Sequence, residues 1–81
     1  MSNKMAKSKK IDPKLLKISE AIKSLRIKNG YSSAEKFANE CEMDRVQYWR
    51  TEKGANFTMQ TLIRILKFHE VSLEEFFKGI K

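Results

Sequence analysis

Apolar residues recur along the chain at helical spacing, and nowhere do they alternate with the two-residue period of a strand. Leu15, Ile18, Ile22 and Leu25 follow i, i+3, i+7, i+10 and predict one apolar stripe on a helix. Asp12-Pro13 supplies a capping carboxylate and a proline at the first helical position, while Asn29-Gly30 supplies a stop. The helix is therefore expected from about Pro13 to Lys28. A second helix is expected to begin near Ser33, with Ser32 and Glu35 as a Ser-x-x-Glu capping box and Phe37, Ala38 and Cys41 as its buried residues. Asp44 caps a third helix, with Gln47 three residues on, Met43 and Tyr48 placed as a hydrophobic staple, and Gly54 as its end. Thr58 caps a fourth, whose broad apolar face of Met59, Leu62, Ile63, Ile65 and Leu66 extends up to His69. Ser72 with Glu75 forms another capping box and Val71 with Phe76 another staple, so a short fifth helix spans about Leu73 to Lys78 before Gly79. The predicted class is all-α, five helices.

The third helix differs from the others in what it shows. Arg45, Val46, Trp49, Arg50 and Lys53 run i, i+1, i+4, i+5, i+8 and share one side, while Tyr48 and Thr51 lie opposite. One face can pack while the other presents guanidinium, ammonium and indole groups. Glu42 occupies the turn before it, where a left-handed residue other than glycine costs about 1–2 kcal/mol.

Composition narrows the possibilities. An 81-residue chain of this kind buries only about 60% of its unfolded surface, enough for one modest core. One Cys and one His exclude an internal disulfide and a zinc site of the usual ligand count; Cys41 is read as a small buried hydrophobe. The longest apolar runs are pairs such as Leu15-Leu16 and Phe76-Phe77, and the Lys-rich start lacks a signal peptide's apolar stretch. A cytoplasmic location without membrane contact is the expectation. A net charge of +7 favours a polyanionic partner. Residues 1–11, with Lys4, Lys7, Lys9 and Lys10, read as a flexible basic arm, either a solvated tail or a source of phosphate contacts. No nucleophile–base set, phosphate loop or metal cluster is present, so neither an enzyme nor a cofactor or metal is expected.

From about Ile22 to Phe77 the chain resembles the phage-repressor/Cro-like helix-turn-helix family, also called the xenobiotic-response-element (XRE) family of regulators. The residues that carry the resemblance are Leu25-Arg26, Gly30-Tyr31-Ser32, Phe37-Ala38, Met43-Asp44-Arg45, Glu52-Lys53-Gly54, Leu62 and Val71-Ser72-Leu73-Glu74-Glu75-Phe76. Their joint spacing, more than any one of them, is specific. The resemblance implies a compact lambda-repressor-like five-helix domain over residues 12–81, with the helix-turn-helix unit at about 33–53. It makes Asp44 to Lys53 the recognition helix, with Arg45, Val46 and Arg50 where the family touches base edges and Trp49 between them. An arginine fork suits guanine O6 and N7, and Val46 suits a thymine methyl. Ser32, Ser33, Lys36, Gln47 and Lys53 are the implied phosphate contacts, the serines through a helix start. Arg26 and Glu52 are implied as a structural pair bracing the third helix against the first. Two positions depart from the pattern: Ala34 stands where many relatives place Gln, and Glu42 replaces the turn glycine.

The function implied is a sequence-specific DNA-binding transcriptional regulator, a homodimer on an inverted repeat in double-stranded DNA. An antitoxin-type autorepressor that also binds a toxin is compatible with the same residues. A protein-interaction module using Trp49 and Tyr48 is the rival, because aromatic and Arg side chains also make interface hot spots. Tyr48 is expected in the core with its hydroxyl free to reach a phosphate, and His69 at the surface near the last carbonyls of its helix. Phe68, Phe76, Phe77 and Ile80 exceed what so small a core needs and suggest a dimer contact.

Overall fold

The computed structural model describes residues 12–80; the predicted basic arm at 1–11 lies outside them. Five helices follow in order: α1 (Pro13–Lys28), α2 (Ala34–Glu40), α3 (Arg45–Glu52), α4 (Met59–His69) and α5 (Leu73–Lys78). Each begins at a polar side chain that takes up an orphan backbone N–H. Asp12 accepts from Lys14 N at 2.8 Å, Ser33 from Lys36 N at 3.2 Å, Asp44 from Gln47 N at 2.9 Å and Thr58 from Thr61 N at 3.1 Å. Ser72 and Glu75 form the reciprocal capping box that their spacing predicts. The predicted box at Ser32 does not form. The cap is Ser33, one residue later, which puts Lys36 rather than Glu35 at the third helical position and frees the Glu35 side chain.

Four helix ends turn through a left-handed residue: Gly30, Glu42, Gly54 and Glu70, with φ of 92°, 58°, 96° and 59°. At each, the next amide reaches back to a carbonyl of the last turn: Tyr31 to Arg26, Met43 to Ala38, Ala55 to Arg50 and Val71 to Leu66, at 2.8–3.0 Å. Glu42 takes the conformation expected of the turn residue; Glu70 is a second strained position.

The core gathers Ile22, Phe37, Ala38, Cys41, Tyr48, Leu62, Ile65, Leu66 and Phe76. Phe37 is its aromatic hub, with ring centroids of Tyr48 at 4.9 Å, Phe68 at 5.1 Å and Tyr31 at 5.3 Å. Burial raises the Cys41 thiol above its ordinary pKa, as for a packed hydrophobe. Two predicted apolar faces are narrower than expected. In α1 only Ile22 of the stripe is fully buried, and Ser19 and Arg26 take the neighbouring interior positions. In α4, Leu62, Ile65 and Leu66 are the buried members of the predicted face, whereas Met59 and Ile63 are exposed. Phe76 joins the core, whereas Phe68 and Phe77 stay partly exposed.

His69 is not the surface group predicted. Its ring stacks on Phe37 at 4.9 Å and 8°, and Asn29 Nδ2 lies 3.0 Å from its Nδ1. Burial holds its pKa below the ordinary 6.5. No helix among the described residues is long and apolar enough to cross a membrane.

Candidate nucleic-acid interface

The α3 helix is short and polar, so its attachment is built largely from hydrogen bonds. Tyr48, Thr51 and Glu52 form its buried side. Glu52 accepts from Arg26 Nε at 2.7 Å and from Arg26 Nη2 at 3.2 Å, and Arg26 Nη1 donates to the Tyr31 carbonyl at 2.7 Å. The Tyr48 hydroxyl also donates to Glu52. The expectation that this hydroxyl reaches outward is therefore overturned: the Glu52 carboxylate draws it inside. Arg26 and Glu52 side chains are each 5% exposed, and the bond to Glu52 raises the guanidinium pKa above its ordinary value. Burial and Glu52 together raise the Tyr48 pKa well above that of a free phenol. Thr51 Oγ1 donates to the Gln47 carbonyl one turn back, at 3.0 Å.

With that side anchored, Arg45, Val46, Gln47, Trp49, Arg50 and Lys53 are all exposed, Val46 by 49% and Trp49 by 52%. The outer face divides into two flanks. Toward the start of α2, Arg45, Val46 and Trp49 line a shallow depression of about 370 Å³ with Ala34 and Glu35. Toward the link before α4, Val46, Gln47 and Arg50 border a second groove with Asn56, Phe57 and Thr58. Val46 touches both. Lys53 places its ammonium 5.4 Å from the Trp49 ring centroid, a cation–π contact that steadies the indole at the surface. Ser32, Ser33 and Lys36 are exposed around the start of α2, and Ser33 Oγ is committed as acceptor to the Lys36 amide.

Two participants escape a reading of the sequence alone. Glu35 Oε2 lies 2.6 Å from Arg45 Nη1, with side chains 58% and 64% exposed; ten positions apart, they meet only because α2 and α3 are folded together. Arg64 of α4 donates from Nη2 to the Glu42 carbonyl at 3.0 Å, bringing another guanidinium beside the turn before α3. No periodicity or motif signals either contact.

The charge is unevenly distributed along the chain. Of seventeen basic residues, Lys4, Lys7, Lys9, Lys10 and Lys81 lie outside the described residues, leaving twelve against all ten acidic ones. The five-helix body is thus nearly balanced, and its outward α3 side is basic by placement rather than by excess. No family model matches the chain, and neither a curated protein nor a solved structure matches it.

Proposed function

We propose that the chain is a sequence-specific DNA-binding regulator of the phage-repressor/Cro-like helix-turn-helix type, with α3 entering the major groove as the recognition helix. The observation that carries this reading is the division of α3. Its inner side is locked by Tyr48, Thr51 and Glu52, and its outer side offers two arginines, a lysine and apolar groups with no core role. A rigid helix with forked donors and small apolar surfaces on one side suits base edges, where guanine presents two acceptors and thymine a methyl group. Arg45, Val46, Trp49 and Arg50 are the proposed base readers. Ser32, Ser33, Lys36, Gln47 and Lys53 surround them as proposed phosphate contacts, and phosphate neutralisation makes binding steeply salt-dependent. Two copies on an inverted repeat, related by a two-fold axis, complete the proposal.

The depression beside Trp49 supports a second reading. Its Ala34, Val46 and Trp49 walls are an apolar recess beside an exposed indole, suited to anchor a protein partner such as a toxin. Selection from a randomised duplex pool at near-physiological salt separates the two. Enrichment of a palindrome supports the DNA regulator and reports the spacing of the recognition helices. Retention without sequence preference refutes it, and a salt-insensitive complex with a protein then favours the second reading.

A further inference from the structure

We propose that Glu35 is a specificity-determining residue: with Arg45 it forms a donor–acceptor pair that reads one G·C base pair, Arg45 on the guanine and Glu35 on the cytosine amino group. The proposal rests on the DNA-binding reading above and deepens it.

Among the described residues, two arginine–glutamate pairs have opposite character. Arg26–Glu52 is 5% exposed on both sides and joins α1 to α3 inside the fold. Arg45–Glu35 is equally close, at 2.6 Å, yet its side chains are 64% and 58% exposed. So exposed a pair adds little to stability, since solvent screens it and two long side chains are immobilised to keep it. A bracing role therefore does not account for it. A role in attracting phosphate does not either, because a carboxylate on the outward side repels a polyanion and the body has little net positive charge to spare.

Base reading uses both groups. Across its major-groove edge, a G·C pair presents two acceptors, guanine N7 and O6, and then one donor, cytosine N4. Arg45 gives one N–H of its Nη1 to Glu35 Oε2 and keeps further donors on its fork, while Glu35 retains Oε1 as an acceptor open to solvent. Side by side, the two side chains offer donor, donor, acceptor. An A·T pair presents acceptor, donor, acceptor and matches neither the fork nor the carboxylate. Ala34, Val46 and Trp49 wall the same depression and would exclude water from the pair once DNA covers it, which strengthens charged hydrogen bonds.

The test uses the full-length protein and the duplex that it enriches. All four base pairs are placed in turn at the position whose preference Arg45→Ala abolishes, and affinities are measured by fluorescence anisotropy. Wild type should prefer G·C by about tenfold or more over A·T. Glu35→Ala should lose most of that discrimination while binding unrelated duplexes as well as wild type or better. Glu35→Gln, whose carbonyl can still accept from an amine, should restore part of it. In the Arg45→Ala background, Glu35→Ala should change the ranking no further. Circular dichroism and a melting curve verify that each variant is folded, as expected for so exposed a residue. If Glu35→Ala shifts all four affinities by one common factor, the proposal is overturned while the DNA reading stands. If the wild type enriches no sequence at all, both fall, and that result appears before any variant is made.

Discussion

Removing the Glu52 carboxylate should be the most damaging polar substitution in the fold. In Glu52→Ala, the Arg26 guanidinium keeps only the Tyr31 carbonyl at 2.7 Å and loses both bonds to the carboxylate. The Tyr48 hydroxyl loses its acceptor in the same step. An uncompensated charge left by breaking a buried pair costs about 3–5 kcal/mol. An orphaned buried hydroxyl adds about 1–3 kcal/mol, less than additively because the groups share one network. A loss of about 4 kcal/mol is a large share of the roughly 5–15 kcal/mol that holds a domain together, and a domain this small lies near the lower end. Urea unfolding followed by circular dichroism measures it, since Trp49 is half exposed and a poor reporter of the core. Arg26→Met combined with Glu52→Leu should recover much of the loss, because apolar side chains can replace a buried ion pair at little cost. A loss below about 1 kcal/mol in Glu52→Ala would refute the reasoning, as would a double variant no better than the single one.

Three further outcomes are expected. Glu42→Gly and Glu70→Gly should each stabilise by about 0.5–1 kcal/mol: the left-handed backbone costs a side-chain-bearing residue roughly 1–2 kcal/mol, and glycine's freedom in the unfolded chain offsets part of the gain. A melting temperature unchanged or lowered in both would refute the claim of strain. His69 is held neutral by burial, so its contribution is complete above the ordinary pKa of 6.5 and declines as pH falls through the lower folded value. Stability should therefore drop as pH falls below about 6.5, and His69→Gln should flatten that slope in urea titrations. On the proposed DNA-binding reading, Arg50→Ala should cost about 1–3 kcal/mol at particular base pairs, whereas Lys53→Ala should weaken all duplexes alike and lower the salt slope by about one; the reverse pattern would exchange their roles.

What the sequence made legible was mostly local. The caps at Asp12, Asp44, Thr58 and Ser72 and the stops at Gly30 and Gly54 act within a few residues of themselves, and the helix boundaries follow from them. The cap expected at Ser32 falls one residue later, at Ser33, because both are serines and no local signal separates them. Properties set by packing were hidden. Met59 fits the apolar period of α4 yet stays exposed, and His69 turns inward to stack on the Phe37 ring. At the candidate site, the exposure of Arg45, Val46, Trp49 and Arg50 was readable from helical phase. The Glu35 partner was not, because nine intervening residues and a left-handed turn bring it there.

The two faces of α3 depend on each other physically. A helix of eight residues is too short to persist by itself in water, so tertiary contacts must hold it. The usual means is a broad apolar stripe, but Tyr48 is the only large hydrophobe on the buried side of α3. The Arg26–Glu52–Tyr48 network does the rest. Because that attachment is polar and directional, it fixes the rotation of the helix about its axis more tightly than a greasy contact would. It also leaves Val46 and Trp49, the residues that would otherwise widen an apolar stripe, outside. A rotation of one residue, about 100°, would bury Trp49 and turn Tyr48 out. The buried ion pair thus determines which side chains α3 turns outward, and on the proposed DNA-binding reading a variant that loosens it should lose base selectivity before it loses the helix.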